Sequence, residues 1–255
     1  MEIFNSDCLL NKRILITGAS SGIGANTAVQ FAKFGAKLIL IGRNHTKLQN
    51  LLEGLVNSED HSTIICDLNV ADSAFDAITT LNRNLLPIDG IFHAAGSELI
   101  KPINLIKQKD VNEVFSSSIF SAISFSRALV KEQIINKGGS VIFMSSIAAI
   151  AGNYGLTAYS ASKAAINGLV KSLAVELSPR LIRVNCVVSG AIESPMHQRI
   201  SKNISIKSLE EYKLRHPLGF GKTSDISNLA LFLMSDASKW ITGSEIVIDG
   251  GYTAK

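Results

Sequence analysis

Short apolar runs of strand length alternate along this chain with longer stretches whose apolar residues recur at helical spacing. Arg13 to Thr17 (RILIT) is the first such run, and Gly22 to Phe34 follows with a helical pattern; Lys37 to Ile41 and Asn44 to Val56 repeat the pair. The alternation continues through a strand at Thr63 to Cys66, a helix over about Ala71 to Leu85, a strand at Ile88 to His93, and a helical stretch from Val111 to Ile135. A strand at Ser140 to Ser145, a helix over Ala158 to Ser178, a strand at Ile182 to Val188, a helix over Ser224 to Met234 and a strand at Glu245 to Ile248 complete it. Strands separated by helices of ten or more residues need crossover connections, so the fold expected is α/β: a single doubly wound parallel sheet with helices on both faces. A hydrophobic share of 46% against 18% charged supplies strands apolar on both faces. No repeat, low-complexity tract or linker divides residues 1–255, which read as one domain. The irregular stretch 191–223 reads as a substrate loop or lid, with a helical pattern around Leu209 to Leu214.

The net charge of +4 is spread without a run of five or more like charges, which argues against a nucleic-acid partner and leaves an anionic small molecule compatible. Cys8, Cys66 and Cys186 lie far apart, two of them in apolar runs, and read as free thiols of a reducing compartment; no metal site is expected. No segment has the ~18 apolar residues of a membrane span, and the N-terminus lacks a leader pattern, so a cytoplasmic protein without a membrane partner is expected.

The first strand hands over to the first helix through Thr17-Gly18-Ala19-Ser20-Ser21-Gly22-Ile23-Gly24. Gly18 permits the sharp turn, Gly22 lets backbone approach a pyrophosphate, Gly24 allows helix and strand to pack closely, and the helix N-terminus offers N–H groups to phosphates. The second strand ends at Ile41-Gly42-Arg43, where an NAD-selective site places an acid; Arg43 instead suits a 2′-phosphate, so NADP(H) is preferred over NAD(H). Asp67-Leu68 and Ala94-Ala95-Gly96 follow the third and fourth strands, where an open sheet places its ligands. Further on, Tyr159 and Lys163 stand four residues apart at a helix start, on one face. A cation beside a phenol favours the phenolate, which makes the pair a tuned proton donor to a carbonyl, or acceptor from an alcohol. Ser145 and Ser146 end the preceding strand, where a hydroxyl can hold the same oxygen.

Together, TGASSGIG at 17–24, Asp67, AAG at 94–96, SS at 145–146, YSASK at 159–163, RVN at 183–185 and TGSEIVIDGG at 242–251 resemble the short-chain dehydrogenase/reductase family, with its Rossmann-type fold. The likeness is greatest to its 3-oxoacyl-(acyl-carrier-protein) reductase branch. The resemblance implies that Ser146 orients a substrate carbonyl and that Tyr159 donates the proton. Lys163 would lower the tyrosine pKa and bind the nicotinamide ribose, while Ile192 and Ser194, after Gly190, meet the carboxamide. It also implies a homotetramer or homodimer formed through the helices near 111–135 and 158–178. The sequence departs from the family at Ser118, where an Asn usually supports a proton relay, at His93-Ala94 in place of Asn-Ala, at Ser189 in place of Pro, and at Ser21, where a basic residue is common. The function expected is NADP(H)-dependent reduction of a small-molecule or acyl-carrier-bound carbonyl. A sugar, steroid or other secondary alcohol is the alternative substrate, and a weakly catalytic NADP(H)-binding sensor or scaffold is a reading of another class.

Overall fold

A computed structural model describes residues 6–70, 72–84, 87–131, 133–201 and 205–254. In chain order the elements are β1 (Arg13–Thr17), α1 (Gly22–Lys33), β2 (Lys37–Gly42), α2 (His45–Glu53), β3 (Ser62–Ile65), α3 (Ser73–Asn84) and β4 (Ile88–His93). Next come α4 (Gln108–Phe115), a π-helical turn at Ser116–Phe120, α5 (Ser121–Lys131), β5 (Ile135–Ser146), α6 (Thr157–Leu177) and β6 (Arg183–Ser189). The chain closes with β7 (Ile192–Glu193), α7 (Pro195–Ser201), α8 (Ile206–Leu214), β8 (Gly221–Lys222), α9 (Thr223–Met234) and β9 (Glu245–Ile248).

Seven strands form one parallel sheet in the order β3-β2-β1-β4-β5-β6-β9, with helices on both faces, as the alternation predicted. Because side chains alternate along a strand, the central strands feed two cores. Leu15, Val141, Phe143, Val184 and Val188 point into the core beneath α3, α5 and α6. Ile14, Ile16, Ile142, Met144 and Val187 point into the core beneath α1, α2 and α9.

The sheet winds outward from β1 in one direction and from β4 in the other. A crevice therefore opens where those neighbours end, with Thr17 and His93 paired at its floor. Ser146 and Ser189 pair at the ends of β5 and β6, one step along the same rim.

The largest differences from expectation lie in one helix and the strand after it. The helix expected to run unbroken from Val111 to Ile135 carries a π-turn, and Ile135 opens β5 instead. Gly138, at φ +82°, and Gly139 disfavour a helix there, while Ile88 donates its N–H to Ile134 O at 2.7 Å and draws the chain onto the sheet. Ala71 and Leu85, the expected ends of the third helix, lie outside the described residues, as do residues 202–204 of the stretch 191–223. That stretch holds α7 and α8, and its ends join as the parallel pair β7–β8.

Candidate active site

Period-two alternation separates the two serines that end β5. Ser145 turns its hydroxyl to α6, donating to Asn167 Oδ1 at 2.6 Å and to Lys163 O at 3.3 Å. Asn167 Nδ2 donates in turn to Glu245 Oε2 at 2.7 Å, and Lys171 pairs with Glu245 Oε1 at 2.7 Å. This chain of contacts fixes α6 against β5 and β9. Ser146, half-exposed, faces a cavity of about 490 Å³ together with Tyr159 and Lys163. Its Oγ accepts the N–H of Ala148 at 3.2 Å, leaving the hydroxyl proton for another acceptor.

Helical spacing places Tyr159 and Lys163 one turn apart on the cavity side of α6, with Lys163 Nζ 5.8 Å from the tyrosine ring centre. Lys163 is buried and donates to Met144 O at 3.0 Å; burial pulls its ammonium down to about 8. The expected lowering of the tyrosine pKa is absent in this geometry. Tyr159 keeps some surface open to the cavity, but the protein around it pushes the phenol up to about 12 against the pull of the Ser146 hydroxyl. The physical reason is burial first, which strips water from the phenolate; Glu98 and Tyr212 add to it more weakly, and the Lys163 ammonium is bonded to the Met144 carbonyl.

The glycine turn meets the other side of the crevice. Gly18, at φ +66°, lies so close to the chain after β4 that a Cβ would stand 2.9 Å from Ala95 N, and Ala95 N–H is held by Thr17 Oγ1 at 3.1 Å. Space beside Gly22 opens toward Ser194 Cβ and Pro195 Cδ, each 3.7 Å from where a Cβ would lie. A Cβ at Gly24 would overlap the Gly18 carbonyl, and one at Gly96 would stand 3.3 Å from Lys163 Nζ. Ser21 precedes α1 without capping it, the first turn carries no acid, and the N–H groups of Gly22, Ile23 and Gly24 have no acceptor among the described residues. Such a donor set fits an anion, so the turn suits the phosphates of a dinucleotide. Ile23, Ala94, Gly96, Gly190, Ile192 and Ser194 line the same cavity as the Ser-Tyr-Lys group.

Ser20 lies beside Gly42, its Oγ 3.4 Å from where a Cβ would stand. Arg43 is exposed and approaches Asp67 Oδ1 at 4.0 Å across the ends of β2 and β3. Leu68 is buried in the core beneath α3, so its side chain belongs to packing. Ser118 also stands apart from the cavity wall: it is buried in the π-turn, and its Oγ has no hydrogen-bond partner among the described residues. His93 packs between Phe125 and Phe143, and its Nε2 meets Ser121 Oγ at 3.1 Å. Burial, with Lys163 nearby, holds the imidazole down to about 3, so it is neutral.

A hydroxyl, a phenol and an ammonium at one cavity wall, beside a glycine turn on the sheet's switch point, are the parts an alcohol–carbonyl oxidoreductase needs. Residues 18–253 match the protein family described as enoyl-(acyl carrier protein) reductase. The chain belongs to the short-chain dehydrogenase/reductase superfamily. It is thus an oxidoreductase acting on a carbonyl or an alcohol. It is 34% identical over 247 residues to a 3-oxoacyl-(acyl-carrier-protein) reductase of Thermotoga maritima, covering 95% of this chain and 98% of that one. Identity is 27% to the gluconate 5-dehydrogenase of Gluconobacter oxydans, over 96% of both. A Brucella melitensis structure named short-chain dehydrogenase/reductase SDR:Glucose/ribitol dehydrogenase superposes with a TM-score of 0.89 at 28% identity, covering 97% of this chain and 99% of that one.

Sequence reasoning missed part of this oxidoreductase's cavity wall: Glu98, Asn153, His197, Tyr212 and Arg215. Four of these carry no local signal, since a loop, α7 and the end of α8 bring them in from a distance. Glu98 had one, an acid just past a strand's C-terminal end. Among the described residues, no group of His, Cys, Asp and Glu is arranged to hold a metal, and no helix is long and apolar enough to cross a membrane.

Proposed function

We propose that this oxidoreductase reduces a carbonyl to a secondary alcohol with NADPH, that its substrate is a 3-oxoacyl thioester, and that it works in the cytoplasm. The observation that carries the reading is the convergence of Ser146, Tyr159 and Lys163 on one cavity at the carboxyl ends of the sheet. The apolar lining, including Ile100, Ile147, Leu156 and Leu209, and the name of the Thermotoga relative favour an acyl chain.

Gly18, Ser20, Ser21, Gly22, Ile23 and Gly24 would hold the pyrophosphate of NADP(H), and Arg43 its 2′-phosphate. Asp67 and the Leu68 backbone would meet the adenine, Ala94 to Gly96 the adjoining ribose, Tyr159 and Lys163 the nicotinamide ribose, and Gly190, Ile192 and Ser194 the carboxamide. When bound, the dinucleotide supplies the hydride. Ser146 turns its hydroxyl proton from Tyr159 to the substrate oxygen as a hydrogen bond. Tyr159, fully protonated at neutral pH because burial holds its phenol near 12, gives that oxygen its proton. Lys163, brought down to about 8 and so close to neutrality, stabilises the phenolate left behind and returns a proton to it. The segment 191–223 covers the substrate.

The test is NADPH oxidation, followed by absorbance, across a panel holding a 3-oxoacyl thioester, a ketose, a steroid ketone and simple ketones. Fastest turnover is expected with the thioester, and Tyr159→Phe should cost at least about 10²-fold in kcat while cofactor affinity persists. A ketose or steroid turned over faster would replace the substrate assignment. Cofactor binding without turnover of any ketone would make the protein a sensor.

A further inference from the structure

The proposed chemistry leaves one acid of the cavity unused. Glu98 stands two residues beyond Gly96, whose Cα lies against Lys163, and it shares the cavity wall with Ser146 and Tyr159. It is half-buried beside apolar neighbours such as Ile100 and Leu156. Among the described residues it accepts no hydrogen bond and forms no salt bridge. A carboxyl partly removed from water and left without a partner is costly until something hydrogen-bonds it, and the open side of the cavity leaves that to the substrate.

The cavity also sets which form of Glu98 is favoured. Burial pushes its carboxyl up to about 7, and the opposing Arg199 charge on α7 does not offset this. Negative charge on Glu98 makes Tyr159 harder to ionise, and it would equally oppose the negative charge that grows on a carbonyl oxygen as hydride arrives. The other titratable groups of the cavity are Tyr154, Lys163, His197, Tyr212 and Arg215; Arg199 and Tyr159 are the ones whose charge is felt between them and Glu98. A neutral acid presents an O–H to its surroundings and no charge.

Resting on the reading of the substrate as a 3-oxoacyl thioester, we infer that Glu98 is a specificity-determining residue: its protonated carboxyl donates a hydrogen bond to the second carbonyl that such a substrate carries beside the reacting one. The site therefore selects 1,3-dicarbonyl compounds over ketones with a single oxygen. Since the acid form prevails below about pH 7, the advantage of the dicarbonyl substrate declines as pH rises through that value.

The experiment measures kcat/KM with NADPH for the parent, Glu98→Gln and Glu98→Ala. Two substrates are compared: an acetoacetyl thioester, and a methyl ketone of matched length that lacks the thioester carbonyl. The parent should prefer the thioester. Glu98→Ala should lower the thioester-to-ketone ratio about tenfold, while Glu98→Gln, which keeps an N–H donor, should retain most of that ratio and lose its decline above pH 7. An unaltered ratio in Glu98→Ala overturns the inference. So does a Glu98→Gln ratio as low as that of Glu98→Ala, because the amide still offers a donor to that carbonyl. A parent that reduces both ketones without preference also overturns the inference yet leaves a carbonyl reductase, whereas a parent that reduces neither overturns both readings.

Discussion

Arg43 leans from the end of β2 toward Asp67 and still leaves 67% of its side chain in solvent. A guanidinium so placed has donors to spare for a phosphate, and charge-assisted hydrogen bonds of that kind contribute about 1.5–3 kcal/mol, roughly ten- to a hundredfold in affinity. NADPH should accordingly bind more tightly than NADH by about that factor, and Gly42→Asp combined with Arg43→Ala should reverse the order. The double variant is sterically feasible, because a Cβ at Gly42 meets nothing nearer than Ser20 Oγ at 3.4 Å. Titration of both cofactors at two salt concentrations checks this, since the phosphate contact weakens with screening while shared contacts cancel in the ratio. Equal affinities in the parent would show that Arg43 serves Asp67 and solvent alone. The serines of the site were legible as a pair, and alternation along β5 tells them apart: Ser145 is committed to α6, and Ser146 is free to act.

Among the elements, the π-turn between α4 and α5 carries the least expected local structure. One extra residue per turn leaves Ser121 Oγ donating to Ser118 O at 2.9 Å and to Ser117 O at 3.1 Å, and buries the Ser118 hydroxyl without a hydrogen-bond partner among the described residues. We propose that this hydroxyl serves proton return to Lys163. Ser118→Ala should then slow turnover roughly tenfold, the worth of one hydrogen bond, and Ser118→Asn should be tolerated. A higher Tm in Ser118→Ala with unchanged kcat would mark Ser118 as packing only, because relieving a buried unsatisfied hydroxyl stabilises. Periodicity made β1 and β4 legible to the residue, since strands buried on both faces read as apolar runs bounded by glycine or polar residues. It could not mark the π-turn, whose spacing differs from a helix by one residue, nor the start of β5, where Asn136 to Gly139 leave the pairing register between Ile135 and Ser140.

At the scale of the whole molecule, apolar side chains stand exposed along one side: Phe120 and Ile123 at 56% and 46%, Val130 on α5, and Val175 on α6 at 74%. Large apolar residues grouped on adjacent helices are the mark of a surface that another protein covers, and we propose that copies of this chain do so as a dimer or tetramer. Sedimentation equilibrium should give a mass of two or four times 27.3 kDa, and Phe120→Glu with Ile123→Glu should shift it toward one copy. A parent of single-copy mass would refute the assembly. The pairing of β7 with β8 has a different bearing. Ile192 sits beside Gly221, and Gly221 donates its N–H to Ala191 O at 3.0 Å, so the excursion that carries α7 and α8 begins and ends at nearly one point. What lies between two pinned ends can be lengthened, shortened or exchanged at little entropic cost and without altering the register of any long strand. The seven-stranded sheet then serves as a frame, and a change of diet needs only a new cassette between those two ends.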